Sequence, residues 1–183
     1  MKVIKTSLDG LLIVEMDVYG DNRGWFYESY NKTKFSEVGI EGEFIQDNHS
    51  LSIPKYTVRG IHYQNHPYAQ SKLVRCVAGS IYDVAIDLRK ESKQYGQWFG
   101  VVLSAENKKQ LYIPKGFGHI FITLEDNTQV CYKVDAPYNK ESEGNVIWND
   151  STINISWPCN VEKVILSDKD REAPVLEKSN CNF

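Results

Sequence analysis

The stretch KLVRCVAGSIYDVAIDL, residues 72–88, decides the fold class. It divides at Gly79 into two short runs rich in valine and isoleucine, each reading as a strand, and VAGSIY between them reads as a tight hairpin. Working outward, the same kind of run recurs on both sides: LLIVEMDVYG, GWFYESY, YTVRGIHYQ, WFGVVLS, KQLYIP, HIFITLED, TQVCYKVDA and NVIWND. So many short strands bounded by turn residues predict an all-β sandwich or barrel. In IPKGFGHIF, Pro114, Gly116 and Gly118 bend the chain into the next strand. Helix signals are weaker. Asn31 is placed to cap a short helix through KTKFSEVG that ends at Gly39, and DKDREAPVLEK holds room for a brief turn before Pro174. No repeat, linker or low-complexity segment divides the chain, so residues 1–183 read as one domain.

Composition limits the function classes. A chain of 183 residues is long enough to bury roughly 70% of its unfolded surface around a core of its own. Hydrophobic residues make up 42% and charged residues 25%, and no apolar run approaches the length of a membrane span. The net charge of −3 and pI near 5.8 argue against broad electrostatic binding of nucleic acid. An anionic ligand therefore needs a local cluster of cations. The opening MKVIKTSLDG lacks the apolar core of a secretion signal, which points to the cytoplasm. Cys76, Cys131, Cys159 and Cys181 form no C-x-x-C pair. They are expected to be free thiols, two of them packed as small hydrophobes, with Cys76 and Cys131 in strand-like runs.

The segment VRGIHYQNHPYAQSKLVR, residues 58–75, carries unusual titratable chemistry for a strand-forming region. By alternation, Val58, Gly60, His62 and Gln64 share one face of VRGIHYQ, and Arg59, Ile61 and Tyr63 share the other. Arg59 and His62 can line one cavity only if the strand is irregular between them. Gly60 is the residue suited to that irregularity, and a kink is predicted there. In the next strand Lys72, Val74 and Cys76 share a face, as do Val130, Tyr132 and Val134 in TQVCYKVD.

The runs RGIHYQ, QSKLVRCVAGSIYDVAIDLR, GQWFGVVLSAENKKQLYIPKGFGHIF, VCYK and ILSDKDREAPVL resemble, in order and spacing, the dTDP-4-dehydrorhamnose 3,5-epimerase family. The resemblance covers nearly the whole chain. It implies a cupin-type jelly roll (double-stranded β-helix) with short peripheral helices, a homodimer that exchanges N-terminal strands, no metal and no other cofactor. The implied reaction inverts C3 and C5 of a nucleotide-linked 4-keto-6-deoxy sugar. A proton on carbon beside a ketone becomes removable only when the charge can move to the ketone oxygen, so base, oxyanion stabiliser and acid must converge. His62 suits the base, because an imidazole with pKa ~6.5 is largely neutral near pH 7. By the resemblance, Asp170 in SDKD is its carboxylate partner, with Asp168 ranked second. Lys72 stands beside the sugar ketone, and Tyr132 returns a proton from the far face.

The resemblance also assigns binding roles. Arg59 and Arg23 take the diphosphate, Arg23 reaching in from the neighbouring subunit, where guanidinium geometry matches phosphate well. Phe26 and Glu28 contact the base side from the same exchanged strand, Gln46 and Asn48 form a polar floor, and His119 lies near the sugar. Many relatives carry glycine where this chain has Ile120, so its branched side chain is expected to narrow the sugar pocket or shift His119. Neighbouring readings are a GDP-linked 4-keto-6-deoxyheptose as substrate, inversion at one carbon alone, a metal-dependent cupin using His62, His66 and His119, and a sugar-nucleotide binding module without catalysis. The metal reading is weakened because Gln64 stands where an H-x-H pair needs its second histidine.

Overall fold

A computed structural model describes residues 1–183 as two packed antiparallel sheets and a small hairpin. The strands are β1 (Lys2–Lys5), β2 (Leu12–Glu15), β3 (Tyr19–Asp21), β4 (Gly24–Phe26), β5 (Gln46–Ser52), β6 (Val58–Gln64), β7 (Lys72–Ala78) and β8 (Ser80–Asp87). They continue with β9 (Trp98–Ser104), β10 (Gln110–Ile113), β11 (Phe117–Thr123), β12 (Thr128–Val134) and β13 (Glu143–Asn145). One sheet has the order β1-β2-β10-β7-β12-β5, the other β13-β6-β11-β8-β9, and β3 pairs only with β4. This is the jelly roll of the cupin type.

Alternation explains how the sheets bury both faces of some strands. On β8, Ile81 and Ala85 point between the sheets, where they join Val74, Cys76, Leu111, Phe117, Phe121 and Val130. Val84 and Ile86 point the other way, into a second cluster with Ile61, Ile120, Ile122, Val146 and Leu176. The chain after β13 covers this outer face, so β8 and β11 read as near-continuous apolar runs. A third cluster sits outside the other sheet, where Phe35 of α1 (Lys32–Ser36) packs on Val14, Leu73 and Tyr112. Asn31 accepts a hydrogen bond from the Lys34 backbone N–H at 3.2 Å, and Gly39 follows the helix with φ +83°. The expected terminal turn is α2 (Asp168–Arg171), capped by Ser167.

The structure corrects four expectations. The turn at Gly79, φ +71°, does not join paired strands: β7 and β8 lie in different sheets, so the turn carries the chain from one layer to the other. β5 was not among the strand-like runs, because QDNHSLS is polar throughout much of its length and forms the edge of its sheet. Among the thiols, Cys76 and Cys181 are buried, whereas Cys131 is only half-buried; all four are free. Ile120 is fully buried in the outer cluster, on the face of β11 opposite His119, so it does not narrow the cavity described below. No helix is long and apolar enough to cross a membrane.

Candidate active site

Gly60 decides which side chains of β6 face the space between the sheets. Val58 packs in the same cluster as Ile61 and Tyr63, which strict alternation forbids, so the side-chain parity switches between Val58 and Ile61. The pairing with β11 shifts at the same place: His62 lies opposite His119, but Arg59 lies opposite Phe121. Gly60 has φ +123°, and a Cβ there would collide with the His119 carbonyl and come within 2.8 Å of Ile120 Cα. Only glycine fits. The expected kink is present, and through it Arg59 and His62 line one cavity of about 410 Å³.

That volume falls in the usual range for small-molecule sites. Lys72 and Tyr132 line it from one sheet and Arg59, His62 and His119 from the other, while Asp170 closes it from α2. The register of β12 on β7 sets Val134 opposite Lys72 and Tyr132 opposite Val74, so the two faces read from sequence are one continuous face. His62 Nε2 donates to Asp170 Oδ1 at 2.6 Å, which leaves Nδ1 as the nitrogen free to accept a proton. Burial opposes ionisation of Asp170. Hydrogen bonds from His62 and Ser167, with the His62 charge, outweigh it and hold the carboxyl below its ordinary value. Asp168, the second-ranked partner, is 92% exposed and faces Arg171 instead.

The buried side of the cavity is built differently. His119 Nε2 donates to Asp83 Oδ1 at 2.7 Å, and both side chains are buried. Burial pushes the His119 imidazole below its ordinary pKa, against the pull of Asp83. Burial also brings the Lys72 ammonium down to about 8, opposed by the charges of Asp83 and Glu143. The Tyr132 phenol moves up through desolvation, with Arg59 pulling the other way. Near pH 7 the cavity thus offers a protonated lysine, a protonated tyrosine and a histidine with an open nitrogen.

Other expected residues lie outside this cavity in a single chain. Arg23 pairs with Asp21 on the exposed β3–β4 hairpin, Phe26 is 69% exposed there, and Glu28 pairs with Lys34 at 2.8 Å. Gln46 donates to Asn48 at 2.9 Å on β5, and Asn48 lies directly opposite Tyr132. His66 stacks edge-on against Phe183, away from the cavity. Sequence reasoning missed Ser50, Ile165, Leu166 and Lys169 in the lining, and Asp83 behind it. Asp83 carried one signal: an acid in the middle of the apolar run SIYDVAIDL.

A jelly roll whose sheets hold a proton acceptor, a proton donor and a fixed cation around one cavity falls in the class of cupin-type isomerases. The comparisons make the class specific. The family model described as dTDP-4-dehydrorhamnose 3,5-epimerase matches residues 5–178. A dTDP-4-dehydrorhamnose 3,5-epimerase of Shigella flexneri is 53% identical over 171 residues, 93% of each chain. The crystal structure of a dTDP-6-deoxy-D-glucose-3,5-epimerase of Legionella pneumophila, in complex with dTDP-4-keto-L-rhamnose, superposes with TM-score 0.93 at 44% identity, covering 97% of this chain and 93% of that one. A 3'-monoepimerase of Streptomyces bikiniensis, in complex with dTDP-quinovose, gives 0.87 at 30% identity, covering 94% and 86%. The chain belongs to the dTDP-4-dehydrorhamnose 3,5-epimerase family and is an isomerase that acts as a carbohydrate epimerase.

Proposed function

We propose that this epimerase inverts C3 and C5 of a dTDP-linked 4-keto-6-deoxyglucose, giving the dTDP-4-dehydrorhamnose configuration, by proton transfer through an enolate. His62 Nδ1 takes the proton from carbon, and the electron pair moves to the ketone oxygen, where Lys72 supplies a fixed positive charge. Asp170 holds the imidazole in the required tautomer and stabilises the imidazolium. Tyr132 gives its phenolic proton to the opposite face of the same carbon, which inverts it, and solvent then restores both groups. Repetition at the second carbon completes the reaction. The observation that carries this reading is the convergence of His62, Lys72, Tyr132 and Asp170 on one cavity.

Arg59 binds the diphosphate from within the chain. Arg23, Phe26 and Glu28 complete the site of a second copy, and Gln46 and Asn48 form the floor beside Tyr132. Support for this pairing comes from the β3–β4 hairpin, which leaves Tyr19 66%, Trp25 61% and Phe26 69% exposed. Mixing tests it. Arg23→Ala and His62→Ala, each inactive alone, should regain activity when co-refolded, since one hybrid site is then intact; no recovery would place Arg23 outside a shared site.

The reaction itself is tested with the dTDP-linked 4-keto sugar in deuterated water, read by NMR. Deuterium is expected at both C3 and C5, with inversion at each. Label at C3 alone would make this chain a monoepimerase, and binding without exchange would sink the catalytic reading.

A further inference from the structure

Asp83 is fully buried, faces the space between the sheets, and is only half used by the fold. Its Oδ1 accepts from His119, while Oδ2 is the one buried side-chain polar atom with no hydrogen-bond partner. An orphaned oxygen on a buried carboxylate is costly, and such groups persist where they serve the site. Lys72 has the complementary problem: it is 9% exposed and forms no salt bridge within the chain. It enters the same inter-sheet space from β7, whereas Asp83 enters from β8 in the facing sheet.

We propose that Asp83 is a positioning residue of this site: one carboxylate oxygen fixes the His119 ring and the other is the counter-charge that keeps Lys72 an ammonium. The inference rests on the proposed proton transfer for its catalytic meaning, but the charge relation itself belongs to the free protein. Other charged or titratable groups face Lys72. His62, Arg59 and His119 come from the facing sheet, Tyr132 from its own, Glu143 from β13, and Lys169 with Asp170 from α2. Of the carboxylates acting on Lys72, Asp83 is the stronger and Glu143 the weaker. Arg59, Lys169 and any protonated histidine work against the ammonium, which makes the Asp83 charge more necessary. An ammonium that lost its proton near neutral pH would leave the enolate oxygen without a cation, and turnover would fall while binding through Arg59 persisted.

The test compares wild-type protein with Asp83→Asn, which keeps the shape and a hydrogen-bond acceptor but removes the charge. Lysine labelled with ¹³C at Cε reports the Lys72 titration in the free protein. In wild type it should titrate near 8, and in Asp83→Asn lower by about one pH unit or more, the usual effect of losing a nearby opposite charge. The alkaline limb of kcat for C–H exchange should move down with it, while KM changes little. An Asp83 that matters only for folding would lower kcat equally at every pH. A lysine titration unchanged in Asp83→Asn overturns the proposal. Should Asp83→Asn not fold, Asp83→Ser decides by the same ¹³C titration: its Lys72 midpoint must fall below that of wild type, and an unchanged midpoint overturns the proposal as well. Wild-type protein that titrates as expected but exchanges no substrate proton would refute the proposed reaction and leave the Asp83–Lys72 relation standing.

Discussion

Two histidine–carboxylate pairs sit side by side in this fold, joined across neighbouring strands at His62 and His119. Their bonds are nearly equal, 2.6 Å from His62 to Asp170 and 2.7 Å from His119 to Asp83. Their surroundings are not. The His62 side chain is 32% exposed and Asp170 sits on a short C-terminal helix, whereas His119 is 8% exposed and Asp83 lies in the middle of a core strand. Solvent access leaves the His62 ring open to the cavity and to water, as the proposed proton transfer requires. Desolvation keeps His119 neutral, so its ring serves to hold the Asp83 carboxylate in place. The same two residue types thus form an open pair at the mouth, suited to the proposed proton transfer, and a closed pair at the floor.

This contrast breaks if the two pairs respond alike to mutation. The largest expected effect on activity is at the mouth: His62→Ala should lower C–H exchange by about 10² to 10⁴-fold, measured by deuterium incorporation, with a small change in thermal stability. The floor should behave in the opposite sense. His119→Ala strands the buried Asp83 charge and should cost about 3–5 kcal/mol in urea unfolding, more than His62→Ala. Equal losses of stability would erase the distinction.

Lys72 sharpens the comparison further. Its folded pKa of about 8 lies below the ordinary 10.5, so between those values the unfolded chain binds more protons and stability rises with pH. Below pH 8 the cost of the buried charge is fully present. Lys72→Met should therefore raise stability at pH 7 by up to about 3 kcal/mol while removing turnover, and the gain should shrink as pH approaches 10. The smallest effect concerns Asp170. Its folded pKa is depressed below 3.8, so its contribution is present above that value and lost as pH falls through the folded one. The stability difference between wild type and Asp170→Asn should vanish at the acid end of a pH series of denaturation curves, and a constant difference would remove the ionised pair from the account.

The strands that the sequence announced are those with both faces buried, such as β8 and β11, because their apolar content is high at every position. β5 escaped because an edge strand with one solvated face is built from polar residues, and its sheet partners, not its composition, hold it. Gly79 was legible as a turn but not as a change of layer, since the local backbone is the same whichever strand each arm pairs with. The site divides the same way. His62, Lys72, Tyr132, Asp170 and Arg59 were named from motifs, and the Gly60 kink followed from a conflict of alternation that needed no coordinates. Asp83 was passed over because a single acid in a strand has no partner in its own neighbourhood of sequence; His119 is 36 residues away.

By itself the sequence determined that the chain is all-β, which side chains alternate onto common faces, and where glycine has to break the pattern. These are local consequences of backbone geometry and side-chain period. Tertiary structure alone fixed which faces meet across the sheets, which histidine keeps contact with water, and that Asp83 stands behind His119. Those outcomes depend on long-range register and burial, and burial, through the cost of removing charge from water, sets what each group can do.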